Sequence, residues 1–160
     1  MPKVPPWTAG LLMYRRGAQG VQVLLAHPGG PFWARRDLGV WSLPKGQPEA
    51  DEDELAAARR EFEEETGVIP RGPFQPLGSV RQKAGKTVHA WAWEGDADPA
   101  VMRCNEMEME WPRGSGHVIR FPEVDRCEWF DLDTARQKLN PAQAEFIGRL
   151  HSLLAHEKDI

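Results

Sequence analysis

Hydrophobic and polar positions change their period along the chain, and these changes predict strands arranged around one central helix. The first predicted strands cover residues 7–16, 21–27, 74–82 and 87–94. The first of them has the apolar run Leu-Leu-Met-Tyr at its centre, and a Gly-Ala-Gln-Gly turn joins it to the second. Two short strands joined by such a turn are typical of a β-hairpin.

The stretch between the two strand pairs predicts a helix. Its apolar stripe, at spacings of three and four residues, consists of Leu55, Ala58 and Phe62. A stripe this narrow suits a helix that lies on a sheet. Asp51 or Asp53 is the predicted N-cap, and Gly67 is predicted to end the helix in a left-handed conformation.

The C-terminal part predicts further strands and two more helices. Residues 104–111 alternate acidic with apolar side chains, which is typical of a solvated edge strand. A loop is predicted at 121–124, a strand at 128–130, a short helix at 133–139, and a longer helix that Pro141 opens. Strands on both sides of a central helix, followed by a terminal helix, fit an α+β fold built as an α/β/α sandwich.

Length and composition restrict the class of protein. With 160 residues, 41% hydrophobic and 28% charged, the chain is expected to fold as a single domain spanning 1–160. A net charge of −4 argues against duplex nucleic acid as a partner, and no apolar run is long enough to suggest a membrane. Cys104 and Cys127 are too few for a disulfide framework, and with no secretory signal pattern a cytoplasmic protein is expected.

Three carboxylates are predicted to share one face of the central helix. Glu61, Glu64 and Glu65 stand at i, i+3 and i+4, so they repel one another unless a cation lies between them. Hard divalent cations such as Mg²⁺ take oxygen ligands of this kind and share them with substrate phosphates. A solvated charged face is the alternative for these three residues taken alone.

The wider pattern resembles the Nudix box. Gly46, five residues, Glu52, seven residues, and then Arg-Glu-Phe-x-Glu-Glu-x-Gly-Val ending at Val68 match that motif at every defining position. The preceding Trp-Ser-Leu-Pro-Lys-Gly, residues 41–46, is similar to the lead-in of the diadenosine-polyphosphate branch of the family. The motif covers about a seventh of the chain, and the chain is identified as a member of the Nudix hydrolase family.

The resemblance implies a mixed β-sheet between helices and a metal-dependent hydrolysis. It implies that Mg²⁺ or Mn²⁺ is bound by the Gly46 carbonyl and by Glu61, Glu64 and Glu65, while Glu52 supports a further metal or water. Arg60 is expected to orient a box carboxylate through charge-assisted hydrogen bonds.

The general base stays open between two sources. Glu65 of the box is one candidate for the base. Glu64 has a different expected role, as the central catalytic carboxylate of the box. The family often uses a further glutamate from a later strand or loop, which implies one of Glu106, Glu108 and Glu110; we take Glu108 as the candidate.

Several aromatic and basic residues are candidates for binding the substrate. An aromatic loop before the box suits a nucleobase, and Lys45 beside the box suits a phosphate. Basic residues near the end of the second hairpin suit the distal phosphates of a long polyphosphate. The candidate substrate-binding residues are Trp33, Lys45, Arg81, Lys83, Lys86 and His89. The alternatives for them are structural: a buried loop anchor, core packing or surface solubility.

The expected activity is cleavage of a phosphoanhydride bond in a nucleoside diphosphate linked to another group. A dinucleoside polyphosphate such as diadenosine tetraphosphate is the leading substrate. Nucleoside triphosphates, capped RNA ends, nucleotide sugars and inositol pyrophosphates are the alternatives within this class. A nucleotide-sensing module without turnover is the alternative from another class, but every box carboxylate is present. The pattern does not indicate an oligomeric state.

Overall fold

A computed structural model describes residues 7–83 and 85–158. The strands are β1 (Trp7–Gly17), β2 (Gly20–Pro28), β3 (Lys45–Gly46), β4 (Gln75–Arg81), β5 (Thr87–Glu94), β6 (Glu106–Glu110), β7 (Val118–Pro122) and β8 (Val124–Asp131). The helices are α1 (Glu54–Thr66), α2 (Leu132–Lys138) and α3 (Glu145–Lys158), and one 3₁₀ turn covers Pro99–Val101. The predicted α+β class is confirmed.

A mixed six-stranded sheet forms the middle layer. Its strand order is β4-β5-β1-β2-β8, and the short β3 pairs with β1. Only β1 and β5 run parallel among these pairs; the other neighbours are antiparallel. The parallel pair puts β1 in the centre of the sheet, where residues 8–14 are all buried, as expected for a strand covered on both faces.

Helices cover both faces of this sheet and divide the core in two. On one face, Phe62 of α1 packs with Leu11 and Trp93. On the other face, Phe146 of α3 and Ala135 of α2 belong to a second buried cluster. Successive side chains along a strand point to opposite faces of the sheet, so neighbouring residues belong to different clusters. The α/β/α sandwich predicted from the sequence is therefore confirmed.

Helix α1 begins and ends as the sequence predicts. Asp53 is the N-cap, and its carboxylate accepts a hydrogen bond from the Ala56 N–H at 3.3 Å. Gly67 has φ 79° and donates its N–H to the Glu63 carbonyl at 2.7 Å. A left-handed residue at this position favours glycine because it carries no Cβ.

Two predictions for the C-terminal half were wrong. The residues Phe121 and Pro122 were predicted in a loop, but they belong to β7, which pairs with β6 in a separate two-stranded sheet. The longer helix begins at Glu145 and not at Pro141, because residues 141–144 form a turn in which Asn140 accepts from the Ala142 and Gln143 N–H groups. Side-chain bonding of this kind by Asn competes with helix formation.

The described part of the chain contains no helix that is both long enough and apolar enough to span a membrane.

Candidate active site

The carboxylate-bearing face of α1 lies against β3, where the lead-in reaches the box. Gly46 pairs with Ala9 of β1, and a Cβ added to Gly46 would stand 2.0 Å from the Glu61 carboxylate. Only a residue without a side chain lets the carboxylate approach the backbone this closely. The glycine of the box is thus required by a contact between two box residues.

Arg60 holds three acidic residues together. Its guanidinium donates two parallel hydrogen bonds to Glu52, both at 2.9 Å, and one to Glu61 at 2.9 Å. It also donates to both oxygens of Glu64 at 3.2 Å. These bonds lower the pKa of Glu52 and raise the pKa of Arg60, because both charged forms are favoured.

Glu65 is the most buried carboxylate of the box. Its Oε2 accepts the Lys45 N–H at 3.2 Å, and the residue is 9% exposed. Burial raises the pKa of Glu65 to about 8, although the Lys45 charge opposes this, and burial lowers the pKa of Lys45. The Glu65 carboxyl and the Lys45 amine are thus both desolvated beside β3. A charged ligand bound there would change the pKa of each group.

A residue that the sequence did not single out also lies here. Glu123 joins β7 to β8 and lines a crevice of about 190 Å³ together with Lys45 and Glu65. Its N–H donates to the Asn105 carbonyl at 3.1 Å, and Asn105 donates to the Glu64 carbonyl at 3.3 Å. Burial is the main reason why the pKa of Glu61 and of Glu65 is raised, and the charge of Glu123 adds to it.

This donor set is suited to a divalent cation. Glu61, Glu64, Glu65 and Glu123 offer hard oxygen ligands, and the buried Glu65 gains most from a nearby positive charge. Among residues 7–83 and 85–158, no group of three acidic, imidazole or thiol side chains already encloses a metal-sized space. Glu61 and Glu64 instead accept hydrogen bonds from the Arg60 guanidinium.

Glu108 lies apart from this cluster. It is 60% exposed on the β6–β7 hairpin, and its carboxylate lies 3.4 Å from Arg120 of the paired strand. Glu106 and Glu110 are also exposed on β6. The structure therefore does not bring Glu108 together with the box glutamates, and its role as a base stays a prediction.

Trp33 stands on a loop that the neighbouring elements hold in place. Phe32, which is 49% exposed, packs edge-to-face with Trp33 at 4.7 Å, and the Arg36 guanidinium lies 4.4 Å above the Phe32 ring. The Arg36 carbonyl lies 2.7 Å from Nε2 of the fully buried His27, whose Nδ1 lies 2.9 Å from Asp125. The aromatic loop is thus anchored to β2 and β8.

The basic candidates divide into two groups. Lys86 is exposed, and its charge adds to the lowering of the Lys45 pKa that burial mainly causes. Arg81 and Lys83 are exposed at the same end of the β4–β5 hairpin. His89 lies on the α1 side of the sheet, with Nδ1 at 3.0 Å from Glu54 and its ring 5.3 Å from that of Trp7.

The raised pKa of Glu65 makes the metal-free protein sensitive to pH. The folded protein keeps a proton that the unfolded chain releases above the ordinary pKa of 4.5, so stability should fall as pH rises from about 5 to about 8. We expect thermal unfolding in a chelator to show this slope, and Glu65→Gln to flatten it because the amide does not titrate. An equal slope in the variant would contradict this assignment.

A mixed sheet between helices, with an acidic helix packed against a glycine at the sheet edge, is the arrangement of Nudix-type hydrolases. A family model described as NUDIX domain matches residues 4–150, and the chain belongs to that family. Hydrolases of this family generally use divalent metal ions.

Three similar proteins show the range of the family around this chain. An RNA pyrophosphohydrolase of Rhodospirillum rubrum is 40% identical over 141 residues, which are 81% of this chain and 80% of that protein. An mRNA-decapping protein of African swine fever virus is 59% identical over 102 residues, 61% of this chain but only 39% of the viral protein. The structure of an Ap4A hydrolase of C. elegans has a TM-score of 0.65 at 22% identity and covers 93% of this chain and 98% of its own. The last likeness supports the fold alone.

Proposed function

We propose that this protein hydrolyses a phosphoanhydride bond in a nucleoside diphosphate linked to a second group, using Mg²⁺ or Mn²⁺. The observation that carries this proposal is the position of the box glutamates beside β3, with Glu65 and Glu123 lining one crevice together with Lys45. Glu61 of α1 lies against Gly46, Glu64 shares the Arg60 guanidinium with Glu61, and Glu65 and Glu123 line the crevice beside Lys45. A polyphosphate repels an approaching nucleophile, and such a cluster with bound metal neutralises that repulsion.

Each residue has a separate task in this reaction. The Gly46 carbonyl and the carboxylates of Glu61, Glu64 and Glu65 would hold the metal. When bound, it would neutralise charge on phosphate oxygens and lower the pKa of a bound water. Arg60 positions Glu61 and Glu64 through the hydrogen bonds described above. Lys45 donates to a phosphate oxygen, and Glu123 takes the proton of the attacking water.

Dinucleoside polyphosphates, with diadenosine tetraphosphate as the example, are the leading substrate. Lys45 in the crevice and the exposed Lys86, whose charge acts on Lys45, support a chain of several phosphates, because cations favour a polyanion. The Trp-x-x-Pro-Lys-Gly lead-in supports the same class. The loop that carries Trp33 and Phe32 offers aromatic surface for a base.

Phosphorylated RNA 5′ ends are the second candidate. The names of the Rhodospirillum rubrum and viral relatives support this substrate class. RNA ends carry the same phosphoanhydride bonds, so the same carboxylates serve both candidates. The net charge of −4 argues against a long electrostatic contact with RNA, and so favours the small molecule.

One product assay separates these candidates. Purified protein with Mg²⁺ receives, in separate reactions, diadenosine tetraphosphate, ATP, ADP-ribose, an inositol pyrophosphate, and a short RNA with a 5′-triphosphate or a cap, and the products are separated by ion exchange. We expect ATP and AMP from the dinucleotide at the highest kcat/KM. Faster release of pyrophosphate from RNA would favour phosphorylated RNA 5′ ends as the substrate. Nucleotide binding without product from any substrate, in Mg²⁺ and in Mn²⁺, would overturn the proposal in favour of a sensing module.

A cytoplasmic location agrees with a substrate drawn from the nucleotide pool, and we include it in the proposal. Imaging of a tagged full-length protein in its own cell tests it.

A further inference from the structure

His27 of β2 is a fully buried histidine whose two ring nitrogens both lie against hydrogen-bond acceptors. Its Nδ1 lies 2.9 Å from a carboxylate oxygen of Asp125, and its Nε2 lies 2.7 Å from the Arg36 carbonyl. A carbonyl oxygen only accepts, and so does the carboxylate of Asp125, which lies 3.4 Å from the Arg126 guanidinium. A neutral imidazole has a single N–H, so only a ring that carries both protons makes both bonds.

Charged groups approach this ring from β8, from the loop after β2 and from α2. Trp41 packs edge-to-face against the imidazole with ring centroids 5.0 Å apart, and it extends the surroundings to further charges. The charged residues that contact the ring or its neighbours are Asp125, Arg126 and Glu128 of β8, Arg36 and Asp37 of the loop, and Lys138 of α2. The carboxylate of Asp125 contacts the ring and therefore offsets its buried positive charge.

Loss of one ring proton would affect the two bonds unequally. An ionised carboxylate is a stronger acceptor than a carbonyl, so the remaining proton stays on Nδ1, which faces Asp125. The lone pair of Nε2 then faces the Arg36 carbonyl at 2.7 Å, and two acceptors at this distance repel each other. The backbone at Arg36 is thus held in place only while His27 carries both protons.

The Arg36 carbonyl belongs to the aromatic loop, residues 29–40. The Arg36 guanidinium lies 4.4 Å from the ring centre of Phe32 and 5.7 Å from that of Trp33. Pro28, directly before this loop, lines the crevice that also contains Glu65. Phe32 is four residues further along the chain and so at most about 14 Å away, which the turns in the loop shorten. The aromatic rings therefore lie within reach of a nucleoside whose phosphates occupy the crevice.

We propose that His27 is a positioning residue for the nucleoside of the substrate: its doubly protonated ring fixes the Arg36 backbone, and with it the aromatic surface of Phe32 and Trp33 on which a base stacks. The inference rests on the proposed function for its substrate, but adenosine tests it without hydrolysis. Adenosine carries a base and no phosphate, and its charge does not change in the pH range in which histidine titrates.

The test is an NMR titration of the purified protein with adenosine at about pH 5.5 and at about pH 8.5. We expect the Kd of wild type to be about tenfold higher at the upper pH, because one bond to a charged donor is lost. His27→Gln does not titrate and does not replace both ring N–H groups. It should bind adenosine about tenfold more weakly than wild type at the lower pH, and its Kd should change by less than about twofold with pH. Its KM for the dinucleotide should rise in parallel, with kcat within about threefold of wild type.

His151→Gln is the matched control, because it makes the same change at an exposed histidine of α3. We expect it to match wild type in Kd at both pH values.

Asp125→Asn decides the question if His27→Gln does not fold. The Asp125 side chain is 28% exposed, and asparagine keeps an oxygen that accepts from Nδ1. Removing the negative charge makes the imidazolium less favourable, so adenosine binding should weaken at a lower pH than in wild type. An unchanged pH dependence in this variant would contradict the inference.

Absence of adenosine binding to wild type, or a wild-type Kd that is equal at both pH values, would overturn the inference. If wild type hydrolyses the dinucleotide and His27→Gln matches it in KM and in adenosine Kd, the inference fails while the proposed function stands. If adenosine binds as expected but no substrate is hydrolysed, the proposed function fails and the role of His27 stands.

Discussion

Glu64→Gln should lower kcat by about a thousandfold and leave the fold intact. The substitution removes one metal-binding charge, and a metal acting as a Lewis acid supplies several kcal/mol of transition-state stabilisation, each 1.36 kcal/mol being a factor of ten. The Glu64 side chain is 41% exposed, and Arg60 keeps its bonds to Glu52 and Glu61. We therefore expect a change in unfolding free energy within about 0.5 kcal/mol.

Glu63→Gln is the matched control for this prediction. Glu63 is the preceding residue of the same helix, carries the same charge, and is exposed. We expect it to match wild type in kcat and in melting temperature. Near-normal turnover of Glu64→Gln in saturating Mg²⁺ would contradict the proposal that the box carboxylates hold the catalytic metal.

Glu123→Gln should lower kcat by about a hundredfold, within the range that a general base contributes. Glu123 shares a crevice with Lys45 and Glu65, and its backbone is tied to Asn105 and, through its carbonyl, to the Gly29 N–H at 2.9 Å. Steady-state kinetics in saturating Mg²⁺ measure this effect.

Glu108→Gln is the competing variant, because the family resemblance predicts a base on β6. Glu108 is exposed and paired with Arg120, so we expect its loss to change kcat by less than about threefold. A large fall in kcat for Glu108→Gln, with normal turnover for Glu123→Gln, would show that the hairpin moves toward the box when substrate binds. Equal, small effects would leave Glu65 as the base.

Periodicity and local end signals predicted most of the fold. The alternation in β5 and the stripe of α1 are visible in the sequence because each needs only neighbouring residues to decide which side is buried. The cap at Asp53 and the end at Gly67 are local for the same reason. The strand at Val118–Pro122 was not predicted, since it exists only through its pairing with β6.

The acidic cluster was predicted only in part. Glu61, Glu64 and Glu65 stand within one and a half turns of a helix, so their spacing alone puts them on adjoining faces. Glu123 stands between two strands in the sequence Phe-Pro-Glu-Val, which carries no signal of its own. Its approach to Glu65 depends on backbone bonds that link the β7–β8 connection to Asn105 and through it to α1.

The sequence by itself determined the family, the acidic helix and the α/β/α class, because the motif and the periodicities depend on short-range spacing. The tertiary structure alone decided that Glu61 rests on the Gly46 backbone, that Arg60 joins three carboxylates, and that Gln143 connects two distant segments. These contacts join residues up to 101 positions apart. They form only when sheet pairing and helix packing bring those segments together, which no local pattern encodes.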